Sequence, residues 1–128
     1  MAITHLNPPT LPASRAFSQA VAVDGASRLI FVGGQNGVGL DGKLVGADLT
    51  SQTEQALRNV LAALAAGGAD QSHVVRLTIH LVAGVDVRAA FAASQAVWGM
   101  HATAISVLIV AGLAVPGALV EIDAIAAV

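Results

Sequence analysis

Hydrophobic and polar positions change period several times along the chain, and each change marks an element. Ser18–Val23 (SQAVAV) and Arg28–Val32 (RLIFV) read as two short strands joined by the turn signal Asp24-Gly25. A glycine-rich connection, GGQNGVGLDGKLVG, follows, with a second turn signal at Asp41-Gly42. Beyond it the period becomes helical, with Ala56, Leu57, Val60, Leu61 and Leu64 on one face. Ser51 and Glu54 form an S-x-x-E capping box at its start, and Gly67-Gly68 stop it. Val74–Leu81 then alternates: Val75, Leu77, Ile79 and Leu81 face one way, Arg76, Thr78 and His80 the other. A second helix is expected from Asp86, its N-cap, to Trp98. Thr103–Val110 and Leu119–Ala126 are the last strands. On the final one Glu121 and Asp123 share a face, opposite Val120, Ile122 and Ala124.

The order strand, strand, helix, strand, helix, strand, strand describes one α+β domain over residues 1–128. Helices separated by strand pairs imply a mixed sheet with both helices on one face. The other face then needs a cover. Composition sharpens that need, because 55% of the 128 residues are hydrophobic and only 11% are charged, less than half the usual share of about 25%. A domain of this size keeps much of its surface exposed. With so few polar side chains, part of its apolar surface is expected to be buried against copies of itself, as a homo-oligomer.

Charge and residue usage narrow the function. The net charge is −2 and the six basic residues are scattered, with no tyrosine and three phenylalanines. A nucleic-acid partner would need a basic stripe or stacking platforms, so none is expected. The chain has no cysteine, which excludes disulfides, thiol nucleophiles and thiolate metal sites. His5, His73, His80 and His101 lack ligand spacing, so no metal site is expected. MAITHLNPPTLPAS has neither the basic region nor the apolar run of a signal peptide, and the expected location is the cytoplasm. Thr103–Val120 is uncharged and long enough to suggest a membrane span. Gly112, Pro116 and Gly117 interrupt it, its flank is acidic, and TAISVLIV is β-branched like a buried strand. No membrane contact is expected.

Two nucleotide motifs are matched only in part. Gly37, Gly39 and Gly42 fit G-x-G-x-x-G, and Gly37–Lys43 fits most of a P-loop. Both require a helix directly after the loop, and Leu44 stands where a P-loop needs a hydroxyl for magnesium. A hairpin loop without a nucleotide or other cofactor is the expectation.

With these elements placed, the chain resembles the Rid family, also called YjgF or L-PSP proteins, along nearly its whole length. The resemblance is carried by FSQAV at Phe17–Val21, FVGGQ at Phe31–Gln35, QALRNVLAALAAGG at Gln55–Gly68, VVRLTIHL at Val74–Leu81 and PGALVEIDAIA at Pro116–Ala126. It implies a chorismate-mutase-like α+β fold, a mixed six-stranded sheet with two helices on one face, and a homotrimer with small-molecule clefts between subunits. Better-known members are enamine/imine deaminases, in which an arginine in a P-A-R segment grips the substrate carboxylate and a glutamate positions the attacking water. An asparagine and a tyrosine line the cleft.

Carried over residue by residue, the resemblance places Glu121 at the glutamate, Phe17 at the tyrosine, Phe91 at the asparagine and Ile105 at the arginine. One extra residue in the turn AGLAVPG allows Ser106 at that last position instead. Gly34 and Val107 complete the implied cleft. Without an arginine the standard 2-imino acid loses a bidentate contact. Three readings result. One is a diverged hydrolase acting on a small uncharged substrate with Glu121 as base. Another is a non-catalytic binding or interaction module. The third is an ordinary deaminase with Arg15 as substitute anchor. Glu121 and Asp123 also admit a structural role, paired with Arg76 on the neighbouring strand. The ribonuclease activity linked to the family fits poorly with so little basic charge.

Overall fold

The computed structural model describes residues 1–128. Strands are β1 (Ala2–Leu6), β2 (Ala20–Asp24), β3 (Leu29–Gln35), β4 (Val74–Val82), β5 (Ala104–Val110) and β6 (Val120–Ala127); the helices are α1 (Leu49–Ala66) and α2 (Val87–Trp98). β1 lies in a segment the pattern left unassigned. It pairs antiparallel with β2, from Ala2 opposite Asp24 to Leu6 opposite Ala20.

The main sheet has the order β3-β6-β4-β5, with β4 and β5 parallel and the other neighbours antiparallel. It is therefore mixed, but it holds four strands beside a separate two-stranded hairpin, where a single six-stranded sheet was expected. The expected β2–β3 turn exists, with Gly25 at φ +67°, yet it does not join paired strands. Ser27 and Arg28 donate their amides to the Val128 carbonyl at 3.0 and 3.1 Å, so the C-terminus captures the chain and feeds β3 alongside β6. Just before β2, Ser18 bridges Ala104 at the start of β5, its amide donating to Thr103 O at 2.9 Å, and His5 of β1 lies 3.1 Å from Ala102 O, so the hairpin is tied to the β5 end of the main sheet.

Helix α1 begins three residues before the expected capping box. Asp48 is the N-cap, and its carboxylate accepts from the Ser51 amide at 2.9 Å. An aspartate caps as well as a serine and draws the next residues into the first turn. Glu54 is left to pair with Arg58 one turn on, at 3.5 Å. Asp86 caps α2 by accepting from the Arg88 amide.

Both helices cover one face of the sheet. Leu57, Val60 and Leu64 of α1 and Ala90 and Trp98 of α2 close over Leu77, Leu81, Val120, Ile122, Ala124 and Ala126 in one core. The opposite face carries Arg76, Thr78 and His80 of β4, in register with Ile125, Asp123 and Glu121 of β6 and with Ala104, Ser106 and Leu108 of β5. Nothing in the single chain covers that face, and Phe31 on β3 is 71% exposed. Beyond its pairing with β4, the later part of the edge strand β5 is uncovered, with Val107, Leu108 and Ile109 at 51%, 44% and 55% exposure. No helix is long and apolar enough to cross a membrane.

Candidate functional site

Ile105 pairs in register with Leu77, and Val107 with Ile79, so both side chains turn toward the helix layer. There they line a cavity of about 340 Å³ together with Phe91 of α2 and with Arg15 and Phe17 from the segment before β2. That segment is pinned by Ser18, whose amide donates to Thr103 O while its hydroxyl donates to Ala102 O. The wall is mostly apolar, ten of its 15 residues being hydrophobic. Such a surface selects a ligand with an apolar body.

The remaining two site residues lie elsewhere. Glu121 shares its face with His80, across the sheet from the buried Val120 and Ile122. Its carboxyl group rests over Gly34. A Cβ there would sit 2.7 Å from Glu121 Cδ, so only glycine leaves the carboxylate this position. The β3–β6 register shifts between Val32 and Gln35, which places Gly33-Gly34 in the irregularity. In one chain, then, Arg15, Phe17, Phe91, Ile105 and Val107 come together, while Gly34 and Glu121 form a second group on the opposite side of the sheet.

The pairing of Arg76 with Glu121 or Asp123 does not form. Arg76 Nη2 donates instead to Ser106 Oγ at 2.6 Å. The residues opposite Arg76 are Ile125 and Ala104, and Asp123 lies opposite Thr78. Ser106 thus shares the Arg76 face, and Ile105 alone of the two register candidates reaches the cavity.

Trp98, Ser94, Gln95 and His101 also line the cavity and were missed from the sequence. The first three follow Phe91 at helical spacing, a signal that could have found them. The glycine loop closes as a hairpin: Val38 bridges Leu44, the Gly39 amide donates to Lys43 O at 2.9 Å, and Gly42 has φ +78°. Gly37 is required by packing, since a Cβ there would meet Gln52 Cα of α1 at 2.4 Å.

The family model described as Endoribonuclease L-PSP matches residues 9–128. Protein DfrA of Myxococcus xanthus is 41% identical over 116 residues, 86% of this chain and 83% of that protein. The 2-iminobutanoate/2-iminopropanoate deaminase of Rattus norvegicus is 42% identical over 69 residues, covering 52% of this chain and 47% of that enzyme. Among solved structures, the Rid protein YyfB of Yersinia pestis, of unknown function, superposes with a TM-score of 0.88 at 34% identity over the whole of both chains. RidA from an Antarctic Psychrobacter has a TM-score of 0.72 at 26% identity, covering 91% of this chain and 92% of that one.

Proposed function

Because the chain belongs to the endoribonuclease L-PSP family, the Rid or YjgF proteins, we propose that it acts as a homotrimer whose clefts join the cavity of one subunit to Glu121 and Gly34 of the next. In that cleft it hydrolyses a small imine or enamine with an apolar body. The observation that carries this reading is the division of the site. One chain holds the apolar cavity and the Glu121 carboxylate on opposite sides of its sheet, so only a second copy can bring them face to face. The open edge strand β5 and the exposed Phe31 supply apolar surface for such a contact.

Glu121, which makes no ion pair in the chain, serves as base for the attacking water. Ile105 cannot pair with a carboxylate, so the reading favours neutral substrates. One placement favours a second reading, in which the substrate keeps its carboxylate: Arg15 stands on the same cavity wall as Ile105, and a guanidinium can take over an anion from there. The rat relative's name supports the reaction class.

The test is turnover by the purified trimer, following ammonia release from neutral imines and from 2-aminoacrylate generated by a dehydratase. Neutral imines should turn over, and Glu121→Gln should abolish it. Efficient use of 2-aminoacrylate, lost in Arg15→Ala, would establish the second reading. Absence of turnover on every imine would contradict both.

A further inference from the structure

The cavity carries one titratable ring that this reading leaves unused. His101 follows α2 and lines the cavity with Arg15. Its Nε2 lies 3.1 Å from the Val74 carbonyl oxygen, which also accepts from Thr103 Oγ1 at 2.8 Å. A carbonyl only accepts, so Nε2 carries the hydrogen and donates it. The neutral ring is thereby held in one tautomer, with a bare lone pair on Nδ1. Within the chain only Nε2 of this ring is hydrogen-bonded.

The titratable or charged neighbours are His5, whose ring meets His101 edge-on at 5.7 Å, and Arg15. Ser94, Gln95 and Trp98 of α2 are uncharged. His5 is itself committed: its Nδ1 lies 2.8 Å from Ser18 Oγ and 3.1 Å from Ala102 O. Because the Ser18 hydroxyl already donates to Ala102 O, His5 is the donor to both. Its role is to hold the wall, and His101 is left as a cavity-lining ring with one nitrogen uncommitted.

We propose that His101 is a catalytic residue of this cleft, passing a proton between Nδ1 and the reacting nitrogen of a bound imine. The proposal rests on the imine-hydrolysis reading above. In the addition step the water oxygen bonds to the imine carbon and Glu121 of the partner subunit takes the water proton. The C=N π pair moves onto nitrogen, which takes a proton from His101 Nδ1–H, the lone pair there having first picked up that proton from solvent. In the resulting carbinolamine, protonated Glu121 returns its proton to the amine. The C–N bond breaks with its pair leaving on ammonia, the carbonyl forms, and the hydroxyl proton returns to Nδ1. Both groups end as they began.

His101→Gln separates this role from a structural one, because the glutamine amide can still donate to the Val74 carbonyl. The variant should keep the trimer mass and KM, while kcat falls about 100-fold or more and its pH profile changes shape. A His101→Gln protein that turns over like the wild type with the same pH profile overturns the proposal and leaves the imine-hydrolysis reading standing, provided Glu121→Gln is inactive in parallel. A wild type without imine turnover overturns both. Should the glutamine variant lose its trimer mass, His101→Asn serves for the same comparison under the same two outcomes.

Discussion

Ile105 and Ser106 are sequence neighbours on opposite sides of a sheet, and the difference of one position decides what each can touch. Ile105, in register with the buried Leu77, looks into the cavity; Ser106 holds Arg76 on the far face. Placing a guanidinium at residue 105 should therefore create an anion site, and placing it at 106 should not. Ile105→Arg is expected to tighten binding of a 2-keto acid such as pyruvate about tenfold, the effect of one charge-assisted hydrogen bond of about 1.5 kcal/mol. Calorimetry would check it, and tightening by Ser106→Arg alone would contradict the placement. Gly34 provides the complementary test. A methyl group there must displace the Glu121 carboxyl, the mobile end of a flexible side chain. Gly34→Ala should thus lose most of its turnover while its melting temperature stays near that of the wild type. Unchanged turnover would show that the position of the carboxylate is irrelevant.

At the scale of elements, the sequence pattern was most legible where burial is one-sided. The alternation of β6 and the apolar stripe of α1 both appear as expected, Ala56, Leu57, Val60 and Leu64 being buried. Pairing partners were less legible. The turn at Gly25 was visible, but the capture of Ser27 and Arg28 by the C-terminal carbonyl depends on residues a whole chain away. β5 was legible as a strand but not in orientation. AISVLIV is apolar at nearly every position, so alternation cannot distinguish its two faces. The helix start was misplaced because two residues three apart can each cap. The Ser51 amide holds the Asp48 carboxyl below the ordinary carboxylate range, with the Ser51 hydroxyl adding to it. A folded-state value below the unfolded one means the cap's contribution is complete above about pH 4 and is lost as the pH falls below that. Asp48→Asn keeps a capping oxygen that does not titrate. Its melting temperature should therefore drop less than that of the wild type between pH 7 and pH 3, and equal drops would contradict the assignment.

As a single chain the molecule leaves large hydrophobic side chains such as Phe31 exposed on one face of its sheet. Its uncovered sheet face mixes Phe31 and Leu108 with a polar strip of Arg76, Ser106, Asp123 and Glu121, a surface suited to contact with an identical partner. Sedimentation should give a species near three times 12.8 kDa, and Phe31→Glu, which places a charge on the most exposed ring, should shift it toward the monomer. A wild-type monomer at micromolar concentration would sink the shared cleft. Arg15, Phe17, Phe91, Ile105 and Val107 do line one cavity, but that Gly34 and Glu121 lie across the sheet from it was not legible, because AISVLIV does not say which side of β5 faces the helices.

The absence of cysteine allows the division to be tested directly. Cysteines introduced together at Phe17 and Glu121 stand on opposite sides of one sheet and, in the proposed trimer, face each other only across a subunit boundary. Treatment of Phe17→Cys/Glu121→Cys with a short bis-maleimide should give covalent trimers on a denaturing gel, with neither single variant linking. A product that stays entirely at the monomer mass, in a protein that sediments as a trimer, would contradict the account.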